Sequence, residues 1–175
     1  MSMKHRAVYS SPIGKLNLIC DDENLLALLF ENPKHHASLL LDVLEIKPGF
    51  HSPIIDKTCM WLDRYFSGDK NVSPDDLPLS PAGSDFAHSV WKVLLDIPYG
   101  GQMTYGEVAS RIGCNSAQAV GQAIGRNRIA IIIPCHRVIG ADGSLTGFAG
   151  GLDIKKELLA HEHFYLTSSK EESSD

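Results

Sequence analysis

The run IAIIIPCHRV, Ile129 to Val138, carries an apolar segment into Pro134 and then sets a cysteine, a histidine and an arginine side by side. A cysteine is a nucleophile only as its thiolate, which needs a base or a positive environment close by. His136 is the adjacent base. Successive residues of an extended chain point to opposite faces, so Cys135 and His136 could meet only through a turn or a bridging water. A third member is available further on: Ile154, Leu158 and Glu162 fall at i, i+4 and i+8 of a helical pattern and put a carboxylate in line with an apolar stripe. Such a carboxylate could orient the histidine. Plain readings stand beside these, with Cys135 as a small core hydrophobe and Glu162 at a frayed helix end in solvent. His136 and Arg137 weigh against the first, since a plain core would not place two polar side chains directly after its cysteine.

Delivering Cys135 is the task of the residues before it. Ile129 to Ile133 are too few for a helix and are mostly β-branched, which predicts a buried strand or extended segment. Pro134 prevents that segment from continuing in a ladder. Upstream, Thr104-Tyr-Gly-Glu107 has the capping-box form and predicts a helix to Ile112, with Val108, Ala109 and Ile112 inward and Gly113 as its stop. A second helix can start at Asn115 or Ser116 and run to Ile124. With Asn115 as N-cap, Gln118 would complete a second capping box. Ala117, Gly121 and Gly125 form a stripe of small residues that lets a backbone approach something closely, either DNA or another helix. Two short helices joined by a glycine turn, with arginines around them, form a helix-turn-helix candidate.

The first thirty residues read as an antiparallel meander, HRAVYS, KLNLIC and LLALLF, broken at SPIG and DDEN. Helical patterns follow over His35 to Glu45 and Ile54 to Phe66. Residues 69–83 shift to Pro, Ser, Asp and Gly and are expected to be a linker closing an N-terminal domain, 1–83. Ser84 and Asp85 open a helix expected to face inward through Phe86, Val90, Trp91, Leu94 and Leu95. A second domain is expected over 84–166, with 167–175 as a disordered tail.

The chain of 175 residues is 43% hydrophobic with a net charge of −5, enough for one good core or two small docked domains. Its acidity argues against a protein that coats nucleic acid. Between Thr104 and Arg137, however, Arg111, Arg126, Arg128 and Arg137 face only Glu107, and a local positive face can still hold phosphates. No apolar run approaches the roughly eighteen residues of a membrane span, and MSMKHRAVYSS lacks a signal-peptide core. The protein is therefore expected inside a cell, not secreted. The four cysteines form no CxxC pair and read as free thiols. His5, Cys20 and His88 could meet around a metal in principle, but scattered ligand types more often pack or face solvent, and no metal is expected.

Ordered motifs now add to the cysteine segment: Phe86 to Trp91 (F-x-x-x-V-W), IPYG at Ile97, TYGEVA at Thr104, AVG at Ala119, GRN at Gly125, IPCHRV at Ile133 and TGFAGGL at Thr146. Together they resemble the O6-alkylguanine-DNA alkyltransferases, over Ser84 to about Glu162. SPIGKL and YFSG are similar to that family's smaller N-terminal domain. The resemblance implies an α+β protein, a small antiparallel-sheet domain with helices followed by a mainly helical, winged helix-turn-helix-like domain. It implies a monomeric, cofactor-free DNA repair methyltransferase that binds duplex DNA in the minor groove. O6-alkylguanine, and also O4-alkylthymine, would be flipped out and the alkyl group moved irreversibly to Cys135. Its place would be the cytoplasm of a prokaryote or the nucleus of a eukaryote.

By the same resemblance His136 would accept the thiol proton through water, Glu162 would orient it, and Tyr105 would donate toward the departing guanine. Asn127 would tie the recognition helix to the cysteine segment, and Val138 with the backbone of Phe148, Ala149 and Gly150 would line the base pocket. Ser116, Ala117, Gln118, Gly121, Arg126 and Arg128 would face DNA. Two residues depart from the family: Gln118 stands where an arginine is usual, and Phe148 where many relatives have tyrosine. Gln118 predicts weaker flipping and weaker DNA binding, with Arg126 or Arg128 compensating. Three rival functions are a lesion-binding relative, which Cys135 argues against, a winged-helix regulator, which leaves CHR unexplained, and a cysteine hydrolase, for which no oxyanion-hole motif stands out.

Overall fold

The structure is a computed structural model and describes residues 2–31, 43, 45–49, 51–148 and 150–172. Three strands, β1 (His5–Ser11), β2 (Gly14–Cys20) and β3 (Leu25–Phe30), form an antiparallel sheet in that order. Ser11 opposite Gly14 closes the first hairpin, and Asp21 Oδ1 closes the second by accepting from the amides of Glu23 and Asn24. Strand β2 is central and buried on both faces. Leu16, Leu18 and Cys20 enter the main core, while Ile19 packs with Ala27, Leu29 and Val43 on the other side. Burial on both faces is why LLALLF reads as continuous rather than alternating.

Helix α1 (Pro53–Phe66) starts at Ser52, whose hydroxyl accepts from the Ile55 amide. The helix expected over His35 to Glu45 falls almost wholly outside the described residues. The proline-rich segment after α1 is packed chain, not a free linker: Leu77 is buried, Leu25 donates to Pro78 O and accepts from the Ser80 amide. Further along the same strand, Leu28 donates to Arg128 O and accepts from the Ala130 amide. Strand β3 thus grips the segment that leads to Cys135.

Helix α2 (Asp85–Leu94) is capped by Ser84 and buries Ala87, Val90, Trp91 and Leu94. Phe86 and Leu95, expected inward, are exposed, because the packed face is centred one position away from both. Helices α3 (Tyr105–Arg111) and α4 (Ala117–Gly125) make the helix-turn-helix, the first with the complete capping box and Gly113 in the left-handed region. Trp91 Nε1 donates to Ala123 O at 2.9 Å and fixes α4 on α2. The N-cap of α4 is Ser116, not Asn115, so Gln118 is the second helical residue and forms no capping box.

Two-residue strands β4 (Met103–Thr104) and β5 (Val138–Ile139) pair in parallel. Helix α5 (Leu152–Glu172) closes the fold. It continues through residues 167–172, where a disordered tail was expected. Thr167, Ser168 and Ser169 bond back to carbonyls three or four residues earlier, and Lys70 bonds Ser169.

Candidate active site

Ile129 to Ile133 are buried as expected but are not extended. Ile133 donates to Ile129 O, Ile132 donates to Ala130 O, and Ile131 has φ +68°, a left-handed conformation that costs a β-branched residue about 1–2 kcal/mol. The cause is Asn127. Its Nδ2 lies 3.2 Å from Ile129 O, 3.0 Å from Ile133 O and 3.2 Å from Cys135 Sγ, while its Oδ1 accepts from the Ile129 amide. One buried amide therefore gathers the chain into a knot and sets the thiol at its end. An apolar run alone cannot reveal that, since strand and buried turn have the same composition.

Cys135, His136 and Arg137 form a single 3-10 turn. Cys135 is 3% exposed, and burial pushes its thiol pKa up against the opposing effects of the Asn127 hydrogen bond and the Lys155 charge. At rest it is a neutral thiol. His136 is fully buried; its Nε2 lies 2.7 Å from Glu162 Oε1, and its Nδ1 has no hydrogen-bond partner among the described residues. Burial lowers the imidazole pKa, partly offset by Glu162. With Nε2 donating to the carboxylate, Nδ1 is left as an acceptor.

Glu162 is 1% exposed, so the frayed-end reading is wrong. Its Oε1 accepts from His136, from Arg137 and, at 2.9 Å, from the Tyr65 hydroxyl; its Oε2 accepts from the Gly100 amide at 3.1 Å. Burial would raise this carboxyl, but His136 and Arg137 outweigh it and bring the pKa down to about 2. Arg137 also donates to Ile97 O at 2.7 Å and is buried. It therefore contributes nothing to a positive surface, because its charge is spent on Glu162.

Near Cys135 the Tyr105 hydroxyl donates to Thr146 O at 2.6 Å. Lys155, which the sequence reading passed over, is fully buried, and its ammonium donates to Val138 O at 2.6 Å and to that same Thr146 O at 2.9 Å. Burial lowers its pKa, and the nearby Cys135 opposes that. A signal for it existed: Lys155, Leu158 and Glu162 fall at i, i+3 and i+7, and this is the buried stripe of α5, whereas Ile154 is half-buried.

A groove of about 610 Å³ runs between α4 and the loop before α5, walled by Tyr105, Ala117, Gln118, Gly121, Thr146 and Gly147. Gly147 has φ +62°, and a Cβ there would come within 3.2 Å of the Tyr105 hydroxyl. Ser116, Ala117, Gln118 and Arg126 are exposed, and Gly121 and Arg128 half-buried. Val138, Phe148 and Gly150 are buried and do not wall the groove; the Phe148 ring packs beneath Gly150, toward Phe30. Ala149 lies outside the described residues. Among the described residues no three His, Cys, Asp or Glu side chains are grouped to hold a metal ion, and no helix is long and apolar enough to cross a membrane.

Both halves of the chain, the helix-turn-helix with the buried Cys135 turn and the sheet-bearing half, have counterparts among known proteins. Residues 85–164 match the DNA binding domain of 6-O-methylguanine DNA methyltransferase, and residues 4–81 match its ribonuclease-like domain. The chain belongs to the methylated-DNA–protein-cysteine methyltransferase family. It is 47% identical over 156 residues to the Methanosarcina barkeri member, covering 89% of this chain and 94% of that one. The Haemophilus influenzae member is 40% identical, covering 93% and 88%. Crystal structures of Mycobacterium tuberculosis O6-methylguanine methyltransferase (40% identity, 91% and 93% covered) and of Mycobacterium tuberculosis OGT in complex with DNA (39%, 92% and 94%) each superimpose with a TM-score of 0.79.

Proposed function

We propose that Cys135 takes the alkyl group directly from O6-alkylguanine in duplex DNA, once per molecule, in the family's methyltransferase reaction. The observation that carries this is the thiol's placement: buried, held by Asn127, with the Glu162-bound His136 next to it in one turn and the Tyr105–Lys155 pair nearby. O4-alkylthymine, which presents an alkyl carbon on a similar exocyclic oxygen, is a second substrate of the same reading.

Sγ attacks the alkyl carbon, the carbon–O6 bond breaks and its electron pair stays with guanine. The thiol proton passes through water to His136 Nδ1, while Nε2–H stays on Glu162. Tyr105 turns its hydroxyl from Thr146 O toward the base, and Lys155 keeps that carbonyl satisfied and favours the thiolate. The anionic guanine takes up a proton from water and His136 returns the thiol proton to water, so the products are neutral guanine and a thioether. A thioether is chemically stable, which makes the reaction stoichiometric. No cofactor is needed.

DNA lies against Ser116, Ala117, Gln118 and Gly121 of α4, with Arg126 and Arg128 on phosphates, and the flipped base enters the groove beside Tyr105. The chain acts as a monomer, in the cytoplasm of a prokaryote or the nucleus of a eukaryote. Intact-mass measurement after incubation with an O6-methylguanine oligonucleotide tests the reading. A gain of one methyl on Cys135, absent in Cys135→Ser, supports it; an unmodified protein that still binds the lesion would sink it.

A further inference from the structure

One hydrogen bond on Glu162 comes from the other half of the chain. Tyr65, near the end of α1 and fully buried, donates to the same oxygen, Oε1, that accepts from His136 and Arg137. Packing aims it there. The ring stacks on Trp61 with centroids 5.6 Å apart and 8° between planes, and meets Phe66 edge-on. His161 of α5 donates from Nε2 to the Tyr65 backbone carbonyl at 3.0 Å, since a carbonyl only accepts.

We propose that Tyr65 is a positioning residue of the acceptor site, whose hydroxyl shares Glu162 Oε1 with His136 and thereby sets how strongly the carboxylate polarises the imidazole. This rests on His136 being the proton acceptor. A carboxylate oxygen offers about two lone-pair directions, and three side chains converge on this one. Taking the phenol away leaves more of the negative charge to His136, which favours the imidazolium and makes the histidine charge at a higher pH.

Among the described residues, the other titratable or charged groups around this pair are Arg137 and Cys135 from the turn itself, Lys155 of α5, Tyr99 from the loop after α2, and His161 of α5 against the Tyr65 ring. Removing the Tyr65 hydroxyl leaves each of these groups in place and frees Glu162 Oε1 for Arg137 as well as His136. The phenol stays protonated, because burial and then the Glu162 charge push its pKa well above the ordinary value. The sheet-bearing half thus takes part in the chemistry, beyond supporting the segment before Cys135.

The test uses the full chain and an O6-methylguanine oligonucleotide, with the single-turnover rate of methyl gain on Cys135 followed from about pH 5 to 9. Tyr65→Phe should move the acid limb of that profile upward by about half a pH unit, with lesion binding unchanged. Placing 3-fluorotyrosine at 65 keeps the ring and hydroxyl, makes a stronger donor, and should move the limb downward. If both variants keep the wild-type limb and lose rate equally at every pH, Tyr65 only packs and the proposal fails. A separate His136→Gln variant with wild-type rate at every pH would overturn the reading of His136 itself, and the Tyr65 proposal with it.

Discussion

His136 Nε2 and Glu162 Oε1 lie 2.7 Å apart with both side chains shut off from solvent, and Arg137 Nη2 reaches the same oxygen at 2.7 Å. Removing one charge from such a buried set leaves the other uncompensated, a loss of about 3–5 kcal/mol. Glu162→Gln should therefore lower unfolding stability by about 3 kcal/mol, read as a drop in the urea midpoint. It should also slow alkyl transfer by about a hundredfold, the usual scale of a misplaced general base. Full stability with the rate intact would show that neither neighbour depends on the carboxylate.

The same pair predicts how stability changes with pH. Burial holds the folded His136 pKa below its ordinary 6.5, so near that pH the unfolded chain binds the extra proton, and stability falls as pH falls. Glu162 has a folded pKa of about 2 against an ordinary 4.5, so its contribution is present above 4.5 and is lost between 4.5 and about 2. Thermal melts should show a decline that starts below about pH 6.5 and steepens below about 4.5. His136→Gln should flatten the first part and weaken the second, which then rests on Arg137. A melt temperature level from pH 7 to 5 in the wild type would contradict the burial of the histidine.

Elements fixed by near-neighbour chemistry were legible in the sequence. The Thr104–Glu107 box, the Ser84 cap, the two hairpins and the Gly113 stop all rest on contacts within a few residues. What escaped depends on distant partners. Ile129 to Ile133 were expected to be extended, and only Asn127, reaching three acceptors at once, makes them a knot. The buried stripe of α5 runs through Lys155 because the Val138 and Thr146 carbonyls await its ammonium. Arg137 read as surface charge because its partner is 25 residues away. IPCHRV located Cys135 and His136, and helical spacing located Glu162, but YFSG gave Tyr65 no role in the chemistry, because it joins the cluster only through the docking of the two halves.

Tyr105 gives a prediction that separates chemistry from binding. Its hydroxyl, 2.6 Å from Thr146 O, sits on the wall of the groove. Tyr105→Phe keeps the ring and removes the donor that would meet charge on the leaving guanine, so the transfer rate should drop by about tenfold to a hundredfold. Lesion affinity, measured on a Cys135→Ser background, should stay within about twofold. Equal losses in both would make Tyr105 a binding residue.

Gln118 controls how the base reaches this chemistry. It is exposed on the groove wall, the second residue of α4, and its side chain belongs to no capping box. Nothing local therefore opposes replacing it. Gln118→Arg puts a planar cation where the helix meets DNA, able both to fill the space of a flipped base and to pair with phosphate. One added phosphate contact should steepen the salt dependence of binding by about 0.9 in log–log slope and tighten affinity at low salt. The single-turnover rate at sub-saturating protein should rise with it. Arg126→Ala and Arg128→Ala should each do the reverse in the wild type, and less so in Gln118→Arg if either arginine compensates for the missing charge. An unchanged slope, affinity and rate in Gln118→Arg would show that α4 does not lie against DNA through this residue.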